Sequence, residues 1–184
     1  MLTWKSLLML LLIGFLFQAC QSNDDRLNFE IPVQWEHVGF SGDQSDIDFV
    51  KYKQLGYKRL ISLREIGEDG YTLEDFQREK QMAEDAGLDF YHVEFSRQRV
   101  ENQDITNDLM EKIDQVVIGN EEGPSNTLVY CSSAARASAW LAWHLVSKKG
   151  KSFEEASSVA YQLGPQDENA QNALSAVEVL LESN

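Results

Sequence analysis

"LVYCSSAARASAWLAWHLV", residues 128–146, opens as a buried strand, breaks into small and polar residues, and resumes as an apolar helix. Leu128, Val129 and Tyr130 are a run of strand formers, while the alanines, leucines and tryptophans after residue 136 repeat with helical spacing. Cys131 closes the strand and Arg136 opens the helix. The unit is therefore strand, short loop, helix, with a thiol and a guanidinium at the two ends of the loop.

Upstream, strand and helix signals alternate. Strands are expected in "EHVGFSG" (36–42), "YKRLISLRE" (57–65), "LDFYHVEF" (88–95) and "NTLVY" (126–130). Between them, "SDIDFVKYKQLG" (45–56) has Ser45 and Asp48 spaced as a capping box and Gly56 as a stop. "TLEDFQREKQMAEDAG" (72–87) repeats the pattern with Thr72, Asp75 and Gly87. A third helix is expected to bury Ile105, Leu109, Ile113 and Val116. After residue 130 only helical signals remain, over 136–148, 152–163 and 169–182. This order predicts an α/β fold, a largely parallel sheet of four to five strands flanked by helices.

Ligands of such sheets bind beyond the C-terminal strand ends, where the 131–136 loop lies. The amides of Ser132, Ser133, Ala134, Ala135 and Arg136 can converge there on an anion, aided by the positive end of the helix. An anion site favours a thiolate over a thiol, and the arginine fork matches two oxygens of a tetrahedral oxyanion. Cys131 is the candidate nucleophile, under a phosphate cradle completed by Arg136.

These residues resemble the signature loop of cysteine-dependent phosphatases. The chain has four residues between cysteine and arginine, one fewer than the commonest form. That spacing resembles a bacterial branch of dual-specificity and tyrosine-phosphatase-like proteins, the beta-lactamase hydrolase-like phosphatase domains, whose loop runs C-x-S-G-x-R. "SGDQSDIDF" (41–49), "GYKRLISLR" (56–64) and "AGLDFYHVEF" (86–95) resemble three further motifs of that branch, in the same order. The resemblance implies a phosphomonoester hydrolase working through a cysteinyl-phosphate, with a phosphorylated protein or small phosphate ester as substrate and neither metal nor cofactor.

The chain also departs from the family pattern. Ala134 replaces the loop glycine, Tyr130 a histidine, Ala137 a serine and Gln44 a proline. A catalytically impaired, phosphate-binding pseudophosphatase is therefore an alternative reading. A rhodanese-like sulfurtransferase is another, although those domains usually follow the cysteine helix with a further strand. A carboxylic acid must protonate the leaving oxygen, and "EFSRQRVENQDIT" (94–106) offers Glu94, Glu101 and Asp104. Glu101 has the nearest spacing and Asp104 follows, unless Asp104 caps the next helix. Arg97 and Arg99 could steer an anion, Arg64 could orient the site or form an ion pair, and His144 reads as packing.

The N-terminus, "MLTWKSLLMLLLIGFLFQAC", has one early cation and an apolar run too short to span a bilayer. Its ending resembles the lipobox of bacterial lipoproteins. The expected organisation is a signal peptide over 1–19, a lipidated Cys20 with a tether to 34, and a phosphatase-like domain over 35–184. The expected location is the cell envelope, on a membrane. Loss of Lys5 with the signal takes the net charge from −14 to −15, which disfavours nucleic acid as a partner. Cysteine arithmetic follows: with Cys20 lipidated, Cys131 has no disulfide partner within the chain. Mass spectrometry of the native membrane fraction should find a mature N-terminus at a lipid-modified Cys20; an unmodified Cys20 would remove the anchor.

Overall fold

The computed structural model describes residues 32–42, 48–119 and 126–183; Cys20 and its flanks, Gln44 and Ser45 lie outside them. Five strands form one sheet: β1 (Val33–Trp35), β2 (Val38–Ser41), β3 (Arg59–Ser62), β4 (Asp89–His92) and β5 (Thr127–Tyr130). Their spatial order is β1-β2-β5-β3-β4. β1 runs antiparallel to β2, and every other neighbouring pair is parallel. The α/β class and parallel sheet are as the alternation predicts. β1 is additional: its three residues are too few to show a period, and a turn at Glu36, with φ of 52°, folds it back on β2.

β5 occupies the middle of the sheet although it is last in sequence. Tyr130 lies level with Ser41 on one side and Ser62 on the other. The loops leaving β2, β5 and β3 therefore emerge side by side at one edge, and Cys131 is at the centre of that edge.

The helices start where local chemistry lets them. α1 (Phe49–Gln54) is capped by Asp48, which accepts from the Lys51 amide at 2.9 Å. α2 (Leu73–Asp85) has the full Thr72/Asp75 capping box. The segment expected to be a loop after β4 contains a short helix, α3 (Arg97–Glu101), capped by Ser96. α4 (Asn107–Ile118) begins two residues later than expected because Thr106 supplies its cap and Asp104 does not. Its buried stripe is Met110, Ile113 and Val117, with Val116 only partly covered. α5 (Ala135–Ser147), α6 (Phe153–Leu163) and α7 (Glu168–Glu182) complete the chain.

α5 is apolar on every side, which a helix tolerates only when covered all round. Residues Ala135 to Leu145 are all buried. Ala137, Ala139 and Ala142 on α5 share one buried core with Ala156 and Ala160 on α6 and Ala173 and Ala176 on α7, and small side chains let three helices approach closely. α4 bonds the indoles and one imidazole nitrogen of the large residues, while His144 Nε2 is buried without a partner among the described residues. Trp140 donates to Asp114, Trp143 donates to Asn107 at 2.8 Å, and His144 Nδ1 lies 2.6 Å from Asp114. His144 is thus a bonded core residue, and the nucleophile loop stands on a fixed helix.

The opposite face of the sheet shows how tightly β2 is fitted. A Cβ on Gly39 would lie 2.1 Å from the Tyr57 hydroxyl, which also accepts from Gln34 at 2.9 Å. Gly39→Ala forces Tyr57 off this strand. It should destabilise the fold by about 1–3 kcal/mol, read as a lower midpoint in thermal or urea unfolding; an unchanged midpoint would refute this packing.

Candidate active site

The Cys131 amide donates to Ser41 across the sheet at 3.4 Å, and its side chain has no exposed surface. Ser132 and Ser133 are half-buried and lead to Ala134, which adopts φ 65° and ψ −5°. This is the left-handed region, where a Cβ costs roughly 1 kcal/mol or more. The loop therefore has glycine geometry at the position where the sequence has replaced glycine. Ala134 nevertheless serves as the N-cap of α5, because its carbonyl accepts from the Ser138 amide at 3.0 Å and hydroxyl at 3.1 Å. Gly42, at the end of β2, allows the loop to lie close: a Cβ there would stand 3.2 Å from the Ser133 carbonyl carbon.

Arg136 points back from the first turn of α5 and is 3 % exposed. Glu68 grips it with both oxygens, Nη1 to Oε2 and Nη2 to Oε1, each at 2.6 Å. Nη1 also donates to the Phe95 carbonyl at 2.6 Å and the Leu63 carbonyl at 3.3 Å. Burial works against the charge, but Cys131 and Glu68 outweigh it and hold the guanidinium's pKa above its ordinary value. Arg136 thus joins the thiol and a carboxylate delivered from the loop after β3.

The Ser132 hydroxyl is used completely. It accepts from Arg136 at 3.1 Å and from Arg97 at 3.2 Å, and donates to Glu68 at 3.2 Å. Arg97, expected as a steering cation, is also tied to Asp69, and lies 3.5 Å from Glu68.

A cleft opens beside the loop, lined by Arg97, Glu101, Ser132, Ser133, Arg136 and Asn172. Glu101 therefore lines the same cleft as the loop. Asp104 lies outside this lining, exposed, with its main chain bonded to Arg99. Glu94, two residues past β4, is exposed, and Arg64 faces a buried carboxylate, Glu79, beneath the sheet edge. Among the described residues no cluster of His, Cys, Asp and Glu side chains could hold a metal.

Sequence reasoning missed Glu68. It lies in "GEDG", whose glycines and acids read as a solvated turn, and only the position after β3 hints at a role. It also missed the α7 amides, Asn169 and Asn172, because α7 reaches the cleft only through helix packing.

Solved structures share this fold. A candidate phosphatase from Neisseria meningitidis is 24% identical, covering 84% of this chain and 100% of that one, with a TM-score of 0.60. Kinase associated phosphatase, solved with its catalytic cysteine changed to serine, is 13% identical over 79% and 86%, with a TM-score of 0.56. The chain has the fold of tyrosine and dual-specificity phosphatases. Tk-PTP in its active form extends the likeness at 17% identity, 80% and 92% coverage, and a TM-score of 0.53. At these identities the likeness is one of fold. No family model and no curated protein matches the chain.

The backbone at residue 134 yields a direct test. Ala134→Gly removes left-handed strain but gives the unfolded chain more freedom, so the net gain should be about 0.5 kcal/mol. Chemical denaturation of the two proteins measures it, and a clear loss of stability would show that the loop is unstrained with alanine.

Proposed function

We propose that this protein is a phosphomonoester hydrolase that works through a cysteinyl-phosphate intermediate. One observation carries the reading: at the central strand end of a phosphatase fold, a buried guanidinium anchored by Glu68 lies beside the Cys131 thiol.

The chemistry follows from that placement. The Cys131 thiolate attacks phosphorus, forming an S–P bond as the ester P–O bond breaks. Arg136 and the amides of residues 132–136 hold the equatorial oxygens as charge builds on them. Glu101, in the cleft wall, gives its proton to the leaving oxygen. It then takes a proton from the water that breaks the S–P bond, releasing phosphate and restoring the thiolate. Asp104 is the second choice for this proton transfer, since its backbone places it farther along the same segment.

A phosphorylated protein or a small phosphate ester is the proposed substrate class. Kinase associated phosphatase and Tk-PTP, which share the fold, support that class by their names. The lipobox-like ending at Cys20 supports a membrane-tethered domain in a bacterial cell envelope. The strained Ala134 and the fully covered thiol favour a second reading, a phosphate-binding pseudophosphatase. A sulfurtransferase is disfavoured by the all-helical chain after β5 among the described residues.

Aryl phosphate turnover and phosphate binding on one preparation separate these readings. Cys131→Ser should abolish turnover, and Arg136→Ala should weaken phosphate binding and rate together, each by a factor of about 100 or more. Turnover that survives Cys131→Ser would refute the nucleophile. Phosphate binding without turnover in the unaltered protein would establish the pseudophosphatase.

A further inference from the structure

Beneath the site, on the face of the sheet opposite α5, three polar side chains surround one carboxylate. Glu79 projects from α2, is 9 % exposed, and accepts on a single oxygen, Oε2, from two phenols. Tyr71 donates at 2.6 Å and Tyr130 at 3.1 Å. Its other oxygen faces Arg64 at 3.7 Å. Arg64 in turn covers the Tyr71 ring at 3.9 Å, and His92 Nε2 contacts the Arg64 carbonyl at 2.7 Å. Burial first, and then Glu79, raise the pKa of both phenols, so both remain donors throughout the neutral range.

The two tyrosines lead to different parts of the site. Tyr130 is the last residue of β5 and immediately precedes Cys131. Tyr71 closes the turn that carries Glu68: the Gly67 amide donates to the Tyr71 carbonyl at 2.7 Å, and the Tyr71 amide donates to the Glu68 carbonyl at 2.8 Å. From the site side, Glu68 and Asp69 of that turn are held by Arg136 and Arg97. Gly67, Asp69 and Gly70 all have positive φ, and Asp69 enters the left-handed region as a non-glycine residue.

We propose that Glu79 is a positioning residue of this site, acting through Tyr71 on Glu68 and hence Arg136, and through Tyr130 on Cys131. The proposal rests on the phosphatase reading but concerns residues that touch neither substrate nor thiol. Its physical basis is that two phenols sharing one carboxylate oxygen cannot move independently. The nucleophile's strand and the turn holding the arginine are thereby set to one spacing. Nη1 of Arg136 is committed to Glu68, Leu63 and Phe95 and Nη2 to Glu68 and Ser132, so an incoming oxyanion meets the Nε side of the guanidinium or takes the place of Ser132 on Nη2. The direction of the guanidinium depends on where Glu68 stands. A buried carboxylate is a costly way to fill space, and an apolar residue would fill it more cheaply.

The test uses isosteric changes and two readouts, calorimetric affinity for inorganic phosphate and kcat with KM on an aryl phosphate. Tyr71→Phe keeps the ring under Arg64 and removes one hydrogen bond; phosphate affinity should fall and KM should rise, each roughly tenfold. Tyr130→Phe should lower kcat while leaving phosphate affinity little changed, and Glu79→Gln should show both effects in weaker form than Glu79→Ala. On a Glu68→Ala background, Tyr71→Phe should cost almost nothing more, because its effect passes through Glu68. Ala83→Gly, in the buried face of the same helix, is the stability control and should lower the melting temperature without moving either readout.

Tyr71→Phe with unchanged phosphate affinity would overturn the proposal, as would losses that merely track melting temperature in the control. A protein that binds phosphate but never turns over would refute the hydrolase reading alone, with Glu79 then judged by affinity. One that neither binds nor hydrolyses would refute both.

Discussion

A guanidinium with five N–H donors and almost no exposed surface must find protein partners, because a buried unpaired charge costs several kcal/mol. Arg136 finds them in Glu68, the Leu63 and Phe95 carbonyls and the Ser132 hydroxyl. Those groups come from the loop after β3, the end of β3 itself, the segment after β4 and the nucleophile loop. One side chain thus ties together the chain at three neighbouring strand ends. Glu68 is equally constrained, since its side chain is covered chiefly by its pairing with the arginine, with Ser132 and Arg97 beside it. Breaking the pair from either side leaves a charge stranded, so the arrangement is rigid before any anion arrives. Pre-organisation of this kind is what makes fixed dipoles and charges effective at a reacting centre.

The sheet separates two kinds of chemistry. Above it, on the α5 side, the helix is bounded by alanines and by tryptophans whose indoles are bonded to α4. Below it, near the same edge, the Glu79 cluster provides the polar counterpart. The cysteine sits at the boundary: its side chain belongs to the apolar core, while Tyr130, one residue earlier, points into the polar cluster. Strand alternation alone accounts for the split, because consecutive residues of β5 face opposite sides.

The elements that were legible in the sequence carry strong local signals. The 128–146 unit and the capping box of α2 appear where pattern and cap residues place them. Elements governed by tertiary contact were not legible. β1 depends on pairing with β2, and α3 is too short to show a helical period. The start of α4 moved because Thr106 and Asp104 are both able caps, and it is Thr106 that accepts from the Leu109 amide. At the site, Cys131 and Arg136 could be read because one loop brings them together. Glu68 could not, because it reaches Arg136 across 68 residues of chain, and glycine-flanked acids usually mean solvent.

The central place of β5 also bears on how the protein comes into being. Val129 pairs with Phe40 on one side and Ile61 on the other, so β2 and β3 never bond to each other. A chain made from its N-terminus has both of these strands long before the one that joins them. Closing such distant pairings is slow, because chain entropy is lost before contacts compensate for it. Until β5 enters, two apolar strands keep open edges and the thiol is still on an unpaired segment. Insertion of β5 covers both edges, buries Cys131 and brings Arg136 within reach of Glu68 in a single event. Sealing the sheet and arming the nucleophile are therefore the same step, and no half-folded form carries an assembled site.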